Sequence, residues 1–286
     1  MTVAVASGKG GTGKTTVAVS LALSREGPVS LVDCDVEEPN AHLFLRPSIE
    51  ESIAVQMLVP EVDAVRCTRC GACGRACRYH AIVALGAEPI VFPDLCHACG
   101  GCALACPEGA IREVPFRIGV VEQGRAGTLG FAQGRLDVGH AMAVPVIRTL
   151  RATDRAPGLA VIDAPPGTSC PVVASVRGTD AVLLVTEPTP FGLNDLALAV
   201  GMVRALGVPF GVLINRSDIG DASVREYCAR EGIPVLMEIP EDRRIAEAYS
   251  RGAPAIAAVP ELLPRFRELA DRLAGLAAGH PAEVPA

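Results

Sequence analysis

The feature that most constrains the fold is a glycine-rich stretch close to the N-terminus. It reads S-G-K-G-G-T-G-K-T-T from Ser7 to Thr16 and directly follows the apolar run Val3 to Ala6. A strand, a glycine loop and a helix start in this order turn successive backbone N–H groups inward, and they form a nest for phosphate oxygens. The stretch therefore predicts a phosphate site where a buried strand meets a helix.

The spacing of this loop assigns roles to its residues. Lys14 is expected to reach the β- and γ-phosphates of a nucleotide, and the Thr15 hydroxyl is placed for Mg²⁺. A glycine loop that merely turns the chain is the alternative, but the eight-residue pattern is specific. The predicted nucleotide contacts in this stretch are Gly8, Gly10, Gly11, Thr12, Gly13, Lys14, Thr15 and Thr16.

Lysine is almost absent from the rest of the chain. Of the 26 basic residues only Lys9 and Lys14 are lysine, and the remainder are arginine. A compact ammonium fits inside a phosphate nest, whereas an arginine fork is planar and bulky. The two lysines therefore stand where phosphate chemistry requires them, although a solvated lysine flanking the loop is the alternative for Lys9.

With both lysines, the loop resembles the deviant Walker A motif, K-G-G-x-G-K-T, of the MinD, ParA, Mrp and nitrogenase iron protein group of P-loop ATPases. The resemblance implies a Mg²⁺-dependent ATPase that binds ATP or ADP and closes face to face as an ATP-dependent homodimer. Lys9 of one subunit would then touch the phosphates held by the other. The catalytic residues that follow are Lys9, Lys14, Asp35 and Asp163.

Carboxylates follow two further apolar runs. Asp33 and Asp35 end the run Val29 to Val32, and we expect this strand beside the P-loop strand, at the sheet edge where ligands bind. By resemblance this is switch I, where Asp35 orients the attacking water and Asp33 supports the Mg²⁺ shell. Exposed acidic turn residues are the alternative.

The second of these apolar runs, Leu159 to Ile162, is followed directly by Asp163. This is the Walker B geometry that holds Mg²⁺ through its water shell, so the predicted Mg²⁺ residues are Thr15, Asp33 and Asp163. By resemblance the Gly167 N–H senses the γ-phosphate, Asn215 reads the adenine and Glu241 closes over the base. A helix-capping role is the alternative for Asn215.

Eight of the 11 cysteines form two quartets with a period of 29 residues. This is the pattern of a bacterial-type ferredoxin with two [4Fe–4S] clusters, in which the fourth cysteine of each quartet ligates the other cluster. Zinc is the alternative, since C-x-x-C pairs also make zinc sites. The pattern assigns Cys67, Cys70, Cys73 and Cys106 to one cluster, and Cys96, Cys99, Cys102 and Cys77 to the other.

Strand and helix patterns alternate on both sides of the cysteines. They predict an α/β fold: a doubly wound, mostly parallel P-loop NTPase sheet, with an inserted small α+β ferredoxin-like domain. We expect a discontinuous ATPase domain at residues 1–60 and 115–286 and the insert at 61–114. A hairpin at the sheet edge is expected at 116–121 and 129–137.

Charge and hydropathy narrow the functional class. The net charge of −6 makes nucleic-acid binding unlikely as the main role, and no apolar run approaches the roughly 18 residues of a membrane span. Without a basic leader the chain is expected in the cytoplasm, where cysteines are more often metal ligands than disulfides.

Together these features predict an ATP-hydrolysing iron–sulfur protein. Its nucleotide state would gate electron transfer, or Fe–S or metal-cofactor assembly, with a redox or cofactor-assembly partner protein that the sequence does not name. The alternative is a MinD/ParA-like positioning or partitioning ATPase with a structural or redox-sensing ferredoxin insert.

Overall fold

One large sheet organises the chain in the computed structural model, which describes residues 1–86, 88–153 and 158–279. Its strands, with two short ones outside the large sheet, are β1 (Thr2–Ser7), β2 (Val29–Asp33), β3 (Ser48–Val62), β4 (Ile82–Val83), β5 (Ile90–Val91), β6 (Ile111–Ala126), β7 (Leu129–Leu136), β8 (Leu159–Pro166), β9 (Ala181–Thr186), β10 (Phe210–Asn215) and β11 (Val235–Ile239). The helices are α1 (Lys14–Leu23), α2 (Ala41–Leu45), α3 (Ala72–Ala76), α4 (Gly101–Leu104), α5 (Ala143–Arg151), α6 (Cys170–Val176), α7 (Pro190–Ala205), α8 (Ser223–Arg230), α9 (Arg243–Ser250), α10 (Ala255–Ala258) and α11 (Leu262–Ala278).

The sheet has nine strands in the order β11-β10-β9-β1-β8-β2-β7-β6-β3. All pairs from β11 to β7 are parallel, and β6 is antiparallel to both of its neighbours. The central strands are short and buried along almost their whole length, as expected for a parallel sheet covered on both faces. The prediction of a mostly parallel α/β sheet is confirmed.

Helices cover both faces of this sheet. Alternate residues of β1 point to opposite sides, so Ala4 belongs to one apolar core and Val5 to the other. The second core also holds the buried face of α11, which includes Phe266 and Leu273. No helix in the described residues has the length and apolar character needed to cross a bilayer.

The expected position of β2 is wrong. The P-loop strand β1 does not pair with β2, because β8 lies between them and pairs with both. Parallel neighbours must be joined by crossovers that pack helices on the sheet, so strands adjacent in sequence need not be adjacent in space. As a result Asp33 of β2 lies opposite Asp163 of β8 in the ladder.

The expected hairpin is found, but it is not the edge of the sheet. β6 and β7 pair from Gly119↔Leu136 to Ala126↔Leu129, and β3 pairs along β6 as the outermost strand. The β3–β6 ladder runs from Ser48↔Arg125 out to Val62↔Ile111. The boundaries predicted at 60/61 and 114/115 fall inside these two strands, and the division into two domains stays a prediction.

The segment between β3 and β6 repeats its backbone with the period of the cysteines. Gly71 and Gly100 take φ values of 73° and 68°, and each precedes a short helix, α3 or α4. Two residues before each glycine, Arg69 and Ala98 also have positive φ, at 60° and 50°. The sequence repeat is therefore a structural repeat.

Candidate nucleotide and cysteine sites

The glycine loop is built for close approach to a ligand. Gly11 and Gly13 have φ values of 82° and 87°, which favour glycine, and α1 starts at Lys14. A Cβ on Gly13 would lie 2.5 Å from Nδ2 of Asn215. The Asn215 amide donates to the Thr12 carbonyl at 2.8 Å, so the end of β10 is tied to the loop.

Lys14 is buried against a carboxylate within β8 and another in the turn after β2. Its Nζ lies 2.6 Å from Oδ1 of Asp163 and 4.0 Å from Oδ2 of Asp35. Burial opposes protonation of Lys14, but Asp163 and the neighbouring carboxylates together raise its pKa above the ordinary value. The ammonium is thus held charged at the position from which a phosphate would displace Asp163.

Asp33 is fully buried and accepts three backbone hydrogen bonds. Its carboxylate receives the N–H of Asp35 at 3.1 Å and those of Asn40 and Ala41 at 3.0 Å each. Burial and the charge of Asp163 nevertheless raise the pKa of Asp33 to about 7. Burial also raises the pKa of Asp35 to about 6, although Lys14 opposes this. Neither residue is an exposed turn carboxylate.

The chemistry of this group suits Mg²⁺. Two carboxylates, Asp163 and Asp35, lie within 4.0 Å of the Lys14 ammonium, and among the described residues the buried Oδ2 of Asp163 and Oγ1 of Thr12 have no hydrogen-bond partner. In the part of the chain that the structure describes, no three His, Cys, Asp or Glu side chains could hold a metal ion by themselves. Nucleotide-bound Mg²⁺ takes one or two carboxylates together with phosphate oxygens and water. The assignment of Asp33, Asp163 and Thr15 to that shared coordination stays a prediction.

A cavity of about 470 Å³ extends from the glycine loop to the turn after β11. Asn215, Pro240 and Glu241 line its far end, where the base of a nucleotide would lie. Asn215 ends β10 and α8 starts only at Ser223, so Asn215 does not cap a helix. The adenine contacts stay a prediction, with both residues on the cavity wall.

Lys9 is held within its own subunit. Its Nζ lies 3.4 Å from Oε2 of Glu187, and Arg216 binds the other oxygen of Glu187 at 2.7 Å. Arg216 also reaches Glu241 at 3.1 Å, so an ionic network follows the rim from the phosphate end to the base end. With 32% of its side chain exposed, Lys9 is partly solvated as well as ion-paired, and its contact with a second subunit stays a prediction.

Sequence reasoning missed Glu187 and Arg216. The available signal was positional: Glu187 directly follows the buried strand β9, just as Asp33 ends the buried strand β2. Gly167 is found in the left-handed region at φ 94°, and its N–H donates to the Ser7 carbonyl at 2.9 Å. That hydrogen bond must break before Gly167 can donate to a γ-phosphate.

The eight repeated cysteines line two small cavities. Three cysteines of each quartet line one cavity, and the fourth lines the cavity of the other quartet. One cavity is lined by Cys67, Cys70, Cys73 and Cys106, and the other by Cys77, Cys96, Cys99 and Cys102. Backbone N–H groups approach the sulfurs: Ala81 donates to Cys77 and Ala110 to Cys106, both at 3.3 Å. The donor set and its N–H contacts suit [4Fe–4S] ligation.

The second cavity is packed onto the same core as switch I. Cys96 and Val36 belong to one apolar cluster, and Cys77 packs against it. The N–H of Leu136, at the end of β7, donates to the Val36 carbonyl at 2.8 Å. In the loop that follows, Nδ1 of His140 lies 3.6 Å from a carboxylate oxygen of Asp94, two residues before Cys96. Residues around the nucleotide site and the second cavity are therefore joined through continuous packing.

Comparison with known proteins agrees with this architecture. The family model described as the CobQ/CobB/MinD/ParA nucleotide binding domain matches residues 3–255. An uncharacterised protein of Methanocaldococcus jannaschii is 29% identical, with 88% of this chain and 90% of that protein covered. A Pyrococcus horikoshii protein named iron-sulfur cluster carrier protein is 27% identical, over 95% of this chain and 84% of its own length.

Solved structures show the same fold. The septum site-determining protein MinD of Pyrococcus horikoshii, complexed with Mg-ADP, superposes with a TM-score of 0.56 at 23% identity, covering 99% of this chain and 100% of that one. The cell division ATPase MinD of Pyrococcus furiosus gives 0.58 at 22% identity, covering 96% and 98%. At these identities the likeness concerns the fold.

Proposed function

Because this chain belongs to the CobQ/CobB/MinD/ParA nucleotide-binding family, we propose that it is a MinD/ParA-type ATPase whose nucleotide state controls an iron–sulfur unit built on the same sheet. The controlled process is electron transfer, or assembly of an Fe–S or metal cofactor, with a partner protein. The relatives named iron-sulfur cluster carrier proteins support the connection to iron–sulfur chemistry.

The nucleotide chemistry follows from the buried charges. Phosphate entering the loop would compete with Asp163 for Lys14, and Asp163, with Asp33, would then be available to hold Mg²⁺. Asp35 lies near the same ammonium and remains partly accessible, so it can orient the attacking water. Lys9 must leave Glu187 to reach the phosphates of a second subunit. Closing the homodimer therefore exchanges one ion pair for another.

The eight cysteines suit two [4Fe–4S] clusters, which would supply one-electron chemistry when bound. The chain's own contribution is to hold four thiols around each cavity and to aim backbone N–H groups at them. These backbone N–H groups also affect how readily a thiol ionises. Burial opposes ionisation of Cys77, yet hydrogen bonds from the Tyr79, Ala81 and Ile82 backbone bring its pKa below the ordinary value.

The observation that carries the proposal is the shared core of switch I and the second cavity. Val36 directly follows the switch I carboxylate Asp35, and it packs in one apolar cluster with Cys96. A packed core transmits displacement because it has few voids in which to absorb it. We therefore expect a nucleotide-dependent movement of switch I to displace Cys96.

The test is reciprocity between nucleotide and reduction. In the hydrolysis-deficient Asp35→Ala variant, ATP and ADP should give different reduction potentials, and reduction should change ATP affinity by the same factor. A coupling of about 1 to 3 kcal/mol corresponds to roughly 40 to 130 mV for one electron. The double variant Lys14→Ala/Asp35→Ala, which should not bind ATP tightly, is the control and should show no difference.

The same experiment weighs the second candidate, a positioning or partitioning ATPase with a passive insert. The MinD-like fold is compatible with that role. Potentials that agree within about 10 mV in both nucleotides, with ATP affinity indifferent to reduction, would favour it over the proposal.

A further inference from the structure

The two halves of the cysteine segment present different surfaces at equivalent positions. The period of 29 residues aligns four arginines of the first half with four apolar residues of the second half. All eight are exposed, and the backbone around them repeats, including the positive φ of Arg69 and Ala98. The aligned pairs are Arg66 with Leu95, Arg69 with Ala98, Arg75 with Leu104, and Arg78 with Pro107.

We call the four arginines Arg66, Arg69, Arg75 and Arg78 the basic face. In the described residues none of them forms an ion pair. The guanidinium groups of Arg66 and Arg75 donate to the backbone carbonyls of Glu108 and Cys70, at 2.9 and 3.0 Å, and the backbone N–H of Arg66 donates to the Asp63 carboxylate at 3.3 Å. Many arginines of the large sheet and its helices are instead bound to carboxylates, as Arg225 is to Glu238 at 2.6 Å. The basic face therefore keeps its positive charge available for another molecule.

Two members of the basic face contact the backbone beside the first cysteine cavity. Arg66 reaches the backbone two residues beyond Cys106, and Arg75 reaches the backbone of Cys70. Cys70 is itself exposed, and Val65, one residue before Arg66, is 96% exposed. Arginine beside exposed apolar side chains is the composition that marks protein interfaces.

We propose that the basic face is the docking site for a protein with an acidic surface. Four unpaired charges within one short segment attract such a partner before contact, because exposed charges act over roughly 10 Å at moderate salt. Docking there would bring the partner against Cys70. The proposal rests on the proposed function, since the face borders cysteines assigned to a cluster.

A protein fits this face better than a nucleic acid does. The chain as a whole carries a charge of −6, so a long polyanion would meet repulsion beyond the four arginines. A small acidic protein would touch only the basic face. The apolar positions of the second half, such as Leu104 at 89% exposure, show that this backbone does not require arginine for its own fold.

The repeat itself supplies variants that the backbone should tolerate. Arg69→Ala and Arg75→Leu together place in the first half the residues that occupy the same positions in the second. The control is Arg148→Leu with Arg251→Ala, which changes net charge equally at two exposed arginines that form no ion pair with any residue the structure describes. All proteins are prepared anaerobically, and iron content and ATP turnover are measured on each.

Flavodoxin, a small acidic electron carrier, is the protein probe, and a duplex DNA of 30 base pairs is the competing probe. Flavodoxin should bind the wild-type chain, more weakly as salt rises. Its dissociation constant should increase on the order of tenfold in the Arg69/Arg75 variant and less than twofold in the control. Iron content should stay at the wild-type value in both.

The proposal is overturned if flavodoxin does not bind, if both double variants bind alike, or if DNA binds more tightly with the same arginine dependence. Wild-type protein without iron would refute the proposed iron–sulfur function. The binding comparison still decides the role of the basic face in that case, so the two failures are distinguishable.

Discussion

Stability of the nucleotide-free protein should fall as pH rises, because of Asp33. Its pKa is raised from 3.8 to about 7 by burial and by Asp163. Between these two values the native carboxyl keeps a proton that the unfolded chain has released. The unfolded state thus binds fewer protons, and the free energy of unfolding decreases with pH until Asp33 is ionised in both states.

The magnitude follows from the two pKa values. Between pH 5.5 and pH 8 the lost stabilisation is on the order of 2 kcal/mol. Because Asp33 is fully buried, solvent screening does not reduce this figure much. For a chain of this size it corresponds to a decrease of about 4 to 8 °C in the melting temperature. Binding of Mg-ADP should make this pH-dependent decrease in melting temperature smaller, since a divalent cation near Asp33 and Asp163 favours their ionised forms.

Thermal unfolding by circular dichroism across this pH range, under anaerobic conditions, measures the effect. Asp33→Asn cannot titrate, so its melting temperature should depend on pH less steeply than that of the wild type. The reasoning is refuted if stability rises with pH, or if wild type and Asp33→Asn decline equally.

Four further changes test the sites. Lys9→Ala should leave ATP binding intact but abolish ATP-dependent dimerisation in sedimentation. It should also slow turnover, on the order of 10³-fold by analogy with trans-acting arginines. Normal dimerisation of this variant would contradict the deviant Walker A interpretation. Glu187→Gln should release Lys9 and favour the ATP-bound dimer about two- to fivefold in sedimentation, whereas an unchanged dimerisation constant would show that the ion pair does not restrain it. Gly13→Ala should lower the free energy of unfolding by about 1 to 3 kcal/mol in urea titrations, because of its positive φ and its contact with Asn215, while Gly201→Ala in helix α7 should not lower it. Wild-type protein should contain about eight irons per chain with matching acid-labile sulfide. The iron content should fall by about half in Cys70→Ser and stay unchanged in Cys170→Ser. Stoichiometric zinc without sulfide would contradict the cluster assignment.

The sequence was most informative where local spacing determines structure. The glycine loop, the carboxylates that follow the apolar runs of β2 and β8, and the cysteine repeat each depend on residues close together in the chain, and each is recognisable by type and interval. Their clustering in space agrees with the parallel sheet, because carboxyl ends of parallel strands meet at one edge.

What the sequence concealed depends on pairing between distant residues. β3 alternates exposed and buried residues only in its second half, and its partner β6 follows after nearly fifty residues of intervening chain. The insertion of β8 between β1 and β2 is equally non-local. The Lys9–Glu187 contact requires β9 to lie beside β1, which no pattern in either segment predicts.

The β3–β6 ladder also determines how this chain could be recombined with others. Because these strands carry the cysteine segment and continue the large sheet without a break, a cut at residues 60 and 114 would sever paired backbone on both sides. Residues 48–126 join the rest of the sheet along β6, and Val55, Met57 and Cys96 also pack in an apolar core that includes residues of the parallel strands. A graft of this segment onto another sheet would therefore need two things from its host: an exposed strand for β6 to pair with, and apolar residues that replace the shared core.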